Sequence, residues 1–187
     1  MSKPLPLSKL LRTLLNYHPD TGYLFWRART PDMFTKGKYP TESSCAWWNS
    51  KFANKHAFKS VNWNGYYFGG IFGHSYQAHR IIFALVSGEC PAGEIDHING
   101  VKKDNRIANL RMVTHAENMR NQRLPTDNNS GRIGVSWHKC SGAWRAQISD
   151  RSQKIHLGTF HDINDAAAAR AVAEAKYGYH KNHGRAS

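Results

Sequence analysis

Residues 94–123 read EIDHINGVKKDNRIANLRMVTHAENMRNQR, and this stretch decides how the rest of the chain is read. Ile95 to Ile98 forms a short apolar-flanked strand that carries Asp96 and His97. Asn99 to Arg106 is polar and rich in the Asn, Gly and Asp that favour turns. Leu110 to Val113 has the character of a second short strand. Thr114 stands three residues before Glu117, the spacing of a capping box, and predicts a helix running to about Arg123. The pattern is a hairpin followed by a helix, with an acid, an imidazole and two amides (Asn109 and Asn118) able to converge.

Those side chains suit a particular chemistry. Asp96 offers a hard anionic oxygen and Asn118 a neutral carbonyl oxygen. Such oxygens suit Mg²⁺ or Mn²⁺, which retain waters and accept a phosphate oxygen as a further ligand. His97 titrates near neutrality and can take a proton from an attacking water. Asn109 can hold either the imidazole or the loop through its amide. One metal and one general base suffice for phosphodiester hydrolysis. Taken singly, Asp96 or Asn109 is explained by turn chemistry alone, and Asn99, Asp104 and Asn105 are assigned to shaping the loop.

The ordered set resembles the HNH endonucleases of the ββα-metal fold, in the homing-type subgroup of phage and introns. The resemblance runs from His79-Arg80 through IDHING and DNRIANLR to Glu117-Asn118. It implies that His97 is the general base, that Asp96 and Asn118 bind one divalent metal, and that Asn109 orients His97. Mg²⁺ is the metal expected, with Mn²⁺ the alternative. The resemblance also includes Arg80, which is expected to clamp the scissile phosphate; a structural salt bridge is the competing role. The implied substrate is double-stranded DNA.

Composition sets the bounds. The 187 residues suffice for one ordinary domain or two small ones. The formal net charge of +13 divides into +6 over residues 1–94, +2 over 95–127 and +5 over 128–187. Charge spread over patterned sequence suits a protein lying along a polyanion, rather than a globular protein with one basic tail. Cys45, Cys90 and Cys140 are an odd, widely spaced set, which argues against a disulfide framework or a Cys-rich zinc site. No apolar run is long enough to span a membrane, no basic amphipathic helix marks a membrane-surface protein, and no signal peptide is expected. The expected setting is the reducing cytoplasm, that of a bacterial host if the chain is of phage origin.

Met1 to Pro6 is a loose lead-in. Ser8 is placed to cap a short helix with Leu10, Leu11, Leu14 and Leu15 as its apolar stripe. Pro19 to Gly22 is a turn, and Tyr23 to Arg27 a strand. The segment YHPDTGYLFWR resembles one found near the start of such phage proteins, and its aromatics are assigned to a core. Thr30 to Lys59 holds Lys36, Lys38, Lys51, Lys55, Lys59, Trp47 and Trp48 with few periodic apolar residues. It reads either as an extended DNA-facing arm or as a plain surface loop. Val61 to Phe72 is a hairpin turning at Asn64-Gly65. A helix follows over about Ala78 to Val86, with Ile81, Ile82 and Leu85 facing a core.

Leu124 to Gly131, LPTDNNSG, is the expected linker, with a nuclease domain over 1–123 (core 75–123) and a second domain over 132–187. Three strands are predicted there: Ile133 to His138, Trp144 to Ser149, and one beginning at Lys154. Their period-two pattern fits a half-buried antiparallel sheet. Asp162 caps an Ala-rich helix that stops at Gly178. Trp137 and Trp144 are assigned to the core. Ser136, His138, Arg145, Gln147, Ser149, Lys154 and His156 form the opposite face, either a reader of base edges in a major groove or an ordinary solvated surface. Residues 131–179 resemble the APETALA2/ERF-type DNA-binding domain through Gly134-Val135, Trp144 to Ile148, Leu157 to Phe160 and the Ala-rich helix. That family reads DNA with its sheet, and the matching positions here are the seven polar residues just named. Ser136, His138 and Ser149 stand where many members carry Arg, and His156 where they carry Trp, so no target sequence is implied.

The fold class expected is α+β: a ββα-metal nuclease unit, then a three-stranded antiparallel sheet packed on one helix. The function expected is a metal-dependent DNA endonuclease, nicking as a monomer or cutting both strands as a homodimer. The competing class is a sequence-specific DNA-binding protein or repressor that does not cleave. RNA binding or a structural role has only the charge in its favour.

Overall fold

A computed structural model of the chain describes residues 5–122, 124–150, 153–181 and 183–184. The first four residues of the expected lead-in, and Arg123 at the expected helix end, lie outside these. The chain is α+β, with four small sheets among the described residues. It forms two compact units, residues 1–97 with 101–112, and 98–100 with 113–187. Among the described residues no helix is long and apolar enough to cross a membrane.

The first unit opens with α1 (Ser8–Leu14), which leads directly into β1 (Leu15–His18). Leu11, Leu14 and Leu15 are buried, whereas Leu10 is exposed, so the stripe is narrower than expected. Ser8 is not the cap. It is the first helical residue, and its hydroxyl donates to the Gly88 carbonyl at 2.6 Å. β1 pairs antiparallel with β2 (Tyr23–Trp26), closing the Pro19–Gly22 turn into a hairpin.

Residues 30–59 are neither an arm nor a loop throughout. They contain α2 (Thr41–Phe52) and the two-residue strand β3 (His56–Ala57), which pairs with β2. The helix is fastened by groups that leave no aliphatic period. Asn49 accepts from the Arg29 amide at 2.8 Å and donates to the Arg29 carbonyl at 2.9 Å. The Arg29 guanidinium stacks over Trp48 at 3.8 Å, a cation–π contact.

β4 (Ser60–Val61), β5 (Tyr67–Ile71) and β6 (His74–Gln77) form the next sheet, in that order. β6 runs straight into α3 (Ala78–Ser87), which ends at Gly88 in the left-handed conformation, φ +84°. Ala78, Ile81, Ile82, Ala84 and Leu85 are buried together with Leu11, Leu14, Leu24, Ile71, Ile95 and Leu110. Each fully buried leucine or isoleucine contributes roughly 1.5–3 kcal/mol. α3 is therefore the centre of this core. β7 (Glu94–His97) and β8 (Leu110–Val113) form the two-stranded sheet read from the sequence.

In the second unit, α4 (His115–Met119) is shorter than expected and carries the full Thr114–Glu117 capping box. β9 (Val135–His138), β10 (Ala143–Asp150) and β11 (Gln153–Phe160) form an antiparallel sheet ordered β11-β10-β9. α5 (Ile163–Lys176) packs on it, with the Asp162 side chain accepting from the Asn164 amide at 2.6 Å. Val135, Ala146 and Ala166 are the buried centre, with Trp144, Leu157, Phe160 and Ile163 packed around them. Trp137 corrects the core assignment: it stands 49% exposed at the sheet margin, edge-on to Trp144. The unexpected buried residue is Arg170 of α5. Its guanidinium donates to the Gln147 carbonyl and, at 2.8 Å, to Glu174. Gly134, at φ +79°, lies against both Arg170 and Gln147, where a Cβ would overlap them.

Candidate active site

β7 delivers Asp96 and His97 as adjacent residues, and both are buried. His97, 3% exposed, has its Nε2 2.9 Å from Oδ1 of Asn105, itself 2% exposed. An amide oxygen accepts, so Nε2 carries the proton and the basic electron pair is on Nδ1. Asn105 was read from the sequence as a turn former. Its side chain is instead a hydrogen-bond partner of the imidazole.

Several contacts fix Asn105. The Tyr17 hydroxyl donates to the Asn105 carbonyl at 3.2 Å and accepts from the Ile107 amide at 2.8 Å. Gly22, at φ +73°, approaches so closely that a Cβ would lie 2.5 Å from the Arg106 nitrogen and 2.6 Å from the Asn105 carbonyl carbon. The β1–β2 hairpin therefore supports the loop that carries Asn105 directly. Burial raises the Tyr17 pKa above its ordinary value, the Ile107 bond opposing the shift. Asn109 bears on the loop: its Nδ2 donates to the Asp104 carbonyl at 2.8 Å. That carbonyl belongs to the residue before Asn105, so Asn109 also bears on His97 through the loop.

Asp96 meets Arg111 across the two strands. Nε and Nη2 of Arg111 donate to Oδ2 of Asp96 at 3.1 and 2.9 Å. A carboxylate has about four lone-pair positions over its two oxygens, so this ion pair and a metal bond are compatible. Among the described residues no three His, Cys, Asp or Glu cluster as a metal cage. The donor chemistry fits a hard cation that keeps waters and takes few protein ligands. Asn118 lies on α4, part-buried, in the second unit.

His79 of α3 completes the surroundings of the imidazole. Its ring centroid is 5.1 Å from that of His97, and Tyr66 lies 5.1 Å from His79 and 5.7 Å from His97. Burial pushes the His79 pKa down to about 3, with further lowering from His97 and Arg80. Its Nδ1 is buried with no hydrogen-bond partner. Burial also lowers the His97 pKa, against the Asn105 bond and the charges of Asp96 and Asp104, which raise it. Arg80, expected at a phosphate, donates to the Gly93 and Pro91 carbonyls at 3.0 and 3.2 Å and so braces the loop leading into β7.

The comparisons with known proteins bear on this same stretch. The HNH endonuclease family matches residues 76–120, from α3 through the β7–β8 hairpin to α4. Protein 3.8 of Escherichia phage T7 is 35% identical over 91 residues, covering 48% of this chain and 74% of that protein. The chain belongs to the family of phage T7 protein 3.8 and carries an HNH endonuclease domain. No solved structure matches it. The HNH domain implies nuclease activity on DNA, and HNH nucleases generally use a divalent metal.

On the C-terminal sheet, cross-strand register sets Ser136 opposite Arg145, Gln147 opposite His156, and Ser149 opposite Lys154. Paired residues share a face, so these six lie together, away from Ala146 and Ile148. His138 follows Ser136 on the same face by alternation, with its Nδ1 2.9 Å from Ser141 Oγ. Two residues near His97 escaped the sequence reading. Arg111 sits inside the LR step of the motif, a visible cation with no local partner to give it meaning. Asn105 is masked by a loop whose composition explains it without any tertiary role.

Proposed function

We propose that this protein is a metal-dependent DNA endonuclease that hydrolyses one phosphodiester per active centre, producing nicks. The carrying observation is the buried His97–Asn105 bond next to Asp96 on β7. With Nε2 occupied as a donor, Nδ1 of His97 accepts the proton of an attacking water. Asn105 holds the tautomer, and Asn109 and Tyr17 hold Asn105 by fixing its loop. Asp96 and Asn118 are the residues we assign to one divalent metal, Mg²⁺ or Mn²⁺. When bound it supplies Lewis-acid stabilisation of the phosphate and of the leaving 3′-oxygen. Arg111 keeps the Asp96 carboxylate oriented across the strands, and Arg80 acts as a brace on the β7 approach.

We further propose that residues 124–131 link this activity to a DNA-reading sheet. The polar face of Ser136, His138, Arg145, Gln147, Ser149, Lys154 and His156 supports that reading: donors and acceptors lie side by side at strand spacing, on a basic segment.

The test is incubation with supercoiled plasmid, with and without Mg²⁺ or Mn²⁺, beside His97→Ala. The expected result is metal-dependent nicked circle that falls by about 10²–10⁴-fold in the variant, the span of a general base. Linear product would replace the nickase reading by paired active centres. Unchanged cleavage by His97→Ala would remove it as the base. Tight plasmid binding without cleavage in any divalent metal would favour a binding-only protein.

A further inference from the structure

Trp63 is 93% exposed, in the turn between β4 and β5. A single exposed apolar side chain is ordinary on a protein surface, but an indole wholly in water forfeits the burial that its size offers. The mount is not ordinary. The Asn62 amide donates to the Tyr66 carbonyl at 2.9 Å, and the Gly65 amide to the Asn62 carbonyl at 2.8 Å. The Asn62 side chain accepts from the Tyr66 amide at 2.9 Å. Gly65 supplies the left-handed residue, φ +84°, that closes the turn. Lys102, from the catalytic loop, donates to the Asn64 carbonyl at 2.9 Å and lies over the Tyr66 ring. Tyr66 in turn packs on His79 and His97. One end of the turn thus rests on the general base and the other holds an indole in solvent.

Cations accompany it. Lys102 is at the turn, Lys103 lies over Tyr67 at 6.0 Å, and Lys59 precedes β4. Lysines meet phosphates and fix register, while an apolar ring has nothing to gain from them. A rigidly mounted ring among cations fits the base stack of the same duplex. We propose that Trp63 is a wedge: its indole enters a base step beside the phosphodiester presented to His97, unstacking it and bending the duplex onto the hairpin. This rests on the nuclease reading above. Apolar side chains inserted between base steps kink duplexes in this way, the unstacking cost being offset by added contact.

A linking-number assay tests it without knowledge of the cleavage site. Closed-circular plasmid is mixed with excess His97→Ala protein, relaxed with a topoisomerase, and deproteinised. A wedge untwists each bound site, so the plasmid should emerge with a lowered linking number. His97→Ala/Trp63→Phe should keep the shift and His97→Ala/Trp63→Ala should lose it. In the otherwise native chain, Trp63→Ala should nick supercoiled plasmid about tenfold more slowly, the scale of one lost stacking contact. An equal shift with Trp63→Ala, or no shift with excess His97→Ala protein, overturns the wedge. Failure of the native protein to nick, with the shift intact, removes the nuclease reading and leaves Trp63 as a DNA wedge.

Discussion

The β7–β8 hairpin and the β9–β11 sheet are both small sheets bearing polar side chains, and they treat them in opposite ways. Around the hairpin, Asp96, His97, Asn105 and Asn109 are buried. On the sheet, Ser136, Ser149, Lys154 and His156 are exposed. A buried polar group is costly unless hydrogen-bonded, so the first set is fixed partner by partner: His97 on Asn105, Asn109 on the Asp104 carbonyl, Asp96 on Arg111. The second set keeps its rotamer freedom. The difference matches the two tasks proposed for them. Proton transfer needs atoms already in place, whereas reading base edges needs donors and acceptors that reach out and adjust.

The sharpest way to break this contrast is Asn105→Ala. It strips the imidazole of its acceptor while leaving His97 in the chain. Nicking should fall by about 100-fold, the cost of a misplaced reacting group. Stability should fall by about 1–3 kcal/mol for the orphaned buried N–H. Asn105→Asp keeps an acceptor and should recover part of the rate, which a purely packing role would not allow. Plasmid nicking and urea unfolding of both variants read this directly. Full activity in Asn105→Ala would mean that the tautomer of His97 is set elsewhere.

That residue also marks where the sequence stopped being legible. β8, α3 and the Thr114–Glu117 box were readable because local signals fix them: an apolar period, a cap, a glycine stop. The alternation of β10 and the Asp162 cap of α5 are of the same kind. Asn105 has a local explanation as a turn residue, and its burial comes from Tyr17 and Gly22, more than eighty positions away in the chain. α2 failed for a related reason. Its contacts are an Asn49–Arg29 peptide clasp and an Arg29–Trp48 stack, which leave no 3.6-residue apolar period. β1 was missed because it follows α1 with no turn signal between them. Trp137 was assigned inward on alternation, which is correct for its face, yet at the margin that face remains half open to water.

A smaller effect separates burial from catalysis. His79 has its pKa pushed down to about 3 by burial, from 6.5 in the unfolded chain. Between those values the unfolded state binds the extra proton. Stability is therefore complete above pH 6.5 and falls as the pH drops toward 3. One such group accounts for about 2–3 kcal/mol by pH 4.5. His79→Phe keeps an aromatic ring beside Tyr66 and removes the titration, along with the unpartnered Nδ1. Urea midpoints across this range should fall more steeply for the native protein than for the variant. Parallel curves would show that the imidazole is relieved of its burial before it is charged.

The smallest effect on the fold should come from the polar face of the β9–β11 sheet. Arg145 lies on β10 opposite Ser136 and Thr159, on the face away from Ala146. Its neighbours across the strands are short hydroxyls rather than carboxylates, so no strand-partner charge is lost with it. Arg145 is half-buried and its Nε is enclosed without a hydrogen-bond partner, so Arg145→Ala sets the lost packing of the stem against relief of that unpaired N–H and should change stability by about 1 kcal/mol or less. It should leave the nicking step itself intact, because Arg145 is not among the residues assigned to the proton transfer or the metal. What should change is where the nicks fall: a lost base contact costs about 1–3 kcal/mol of discrimination, enough to broaden the spectrum of cut sites on a randomised DNA library. The comparison with Asn105→Ala is then complete in both directions, one variant losing rate at unaltered sites and the other losing sites at unaltered rate. An Arg145→Ala protein with the native cut-site spectrum would make this face a solvated surface, and its cations would serve only to hold the duplex.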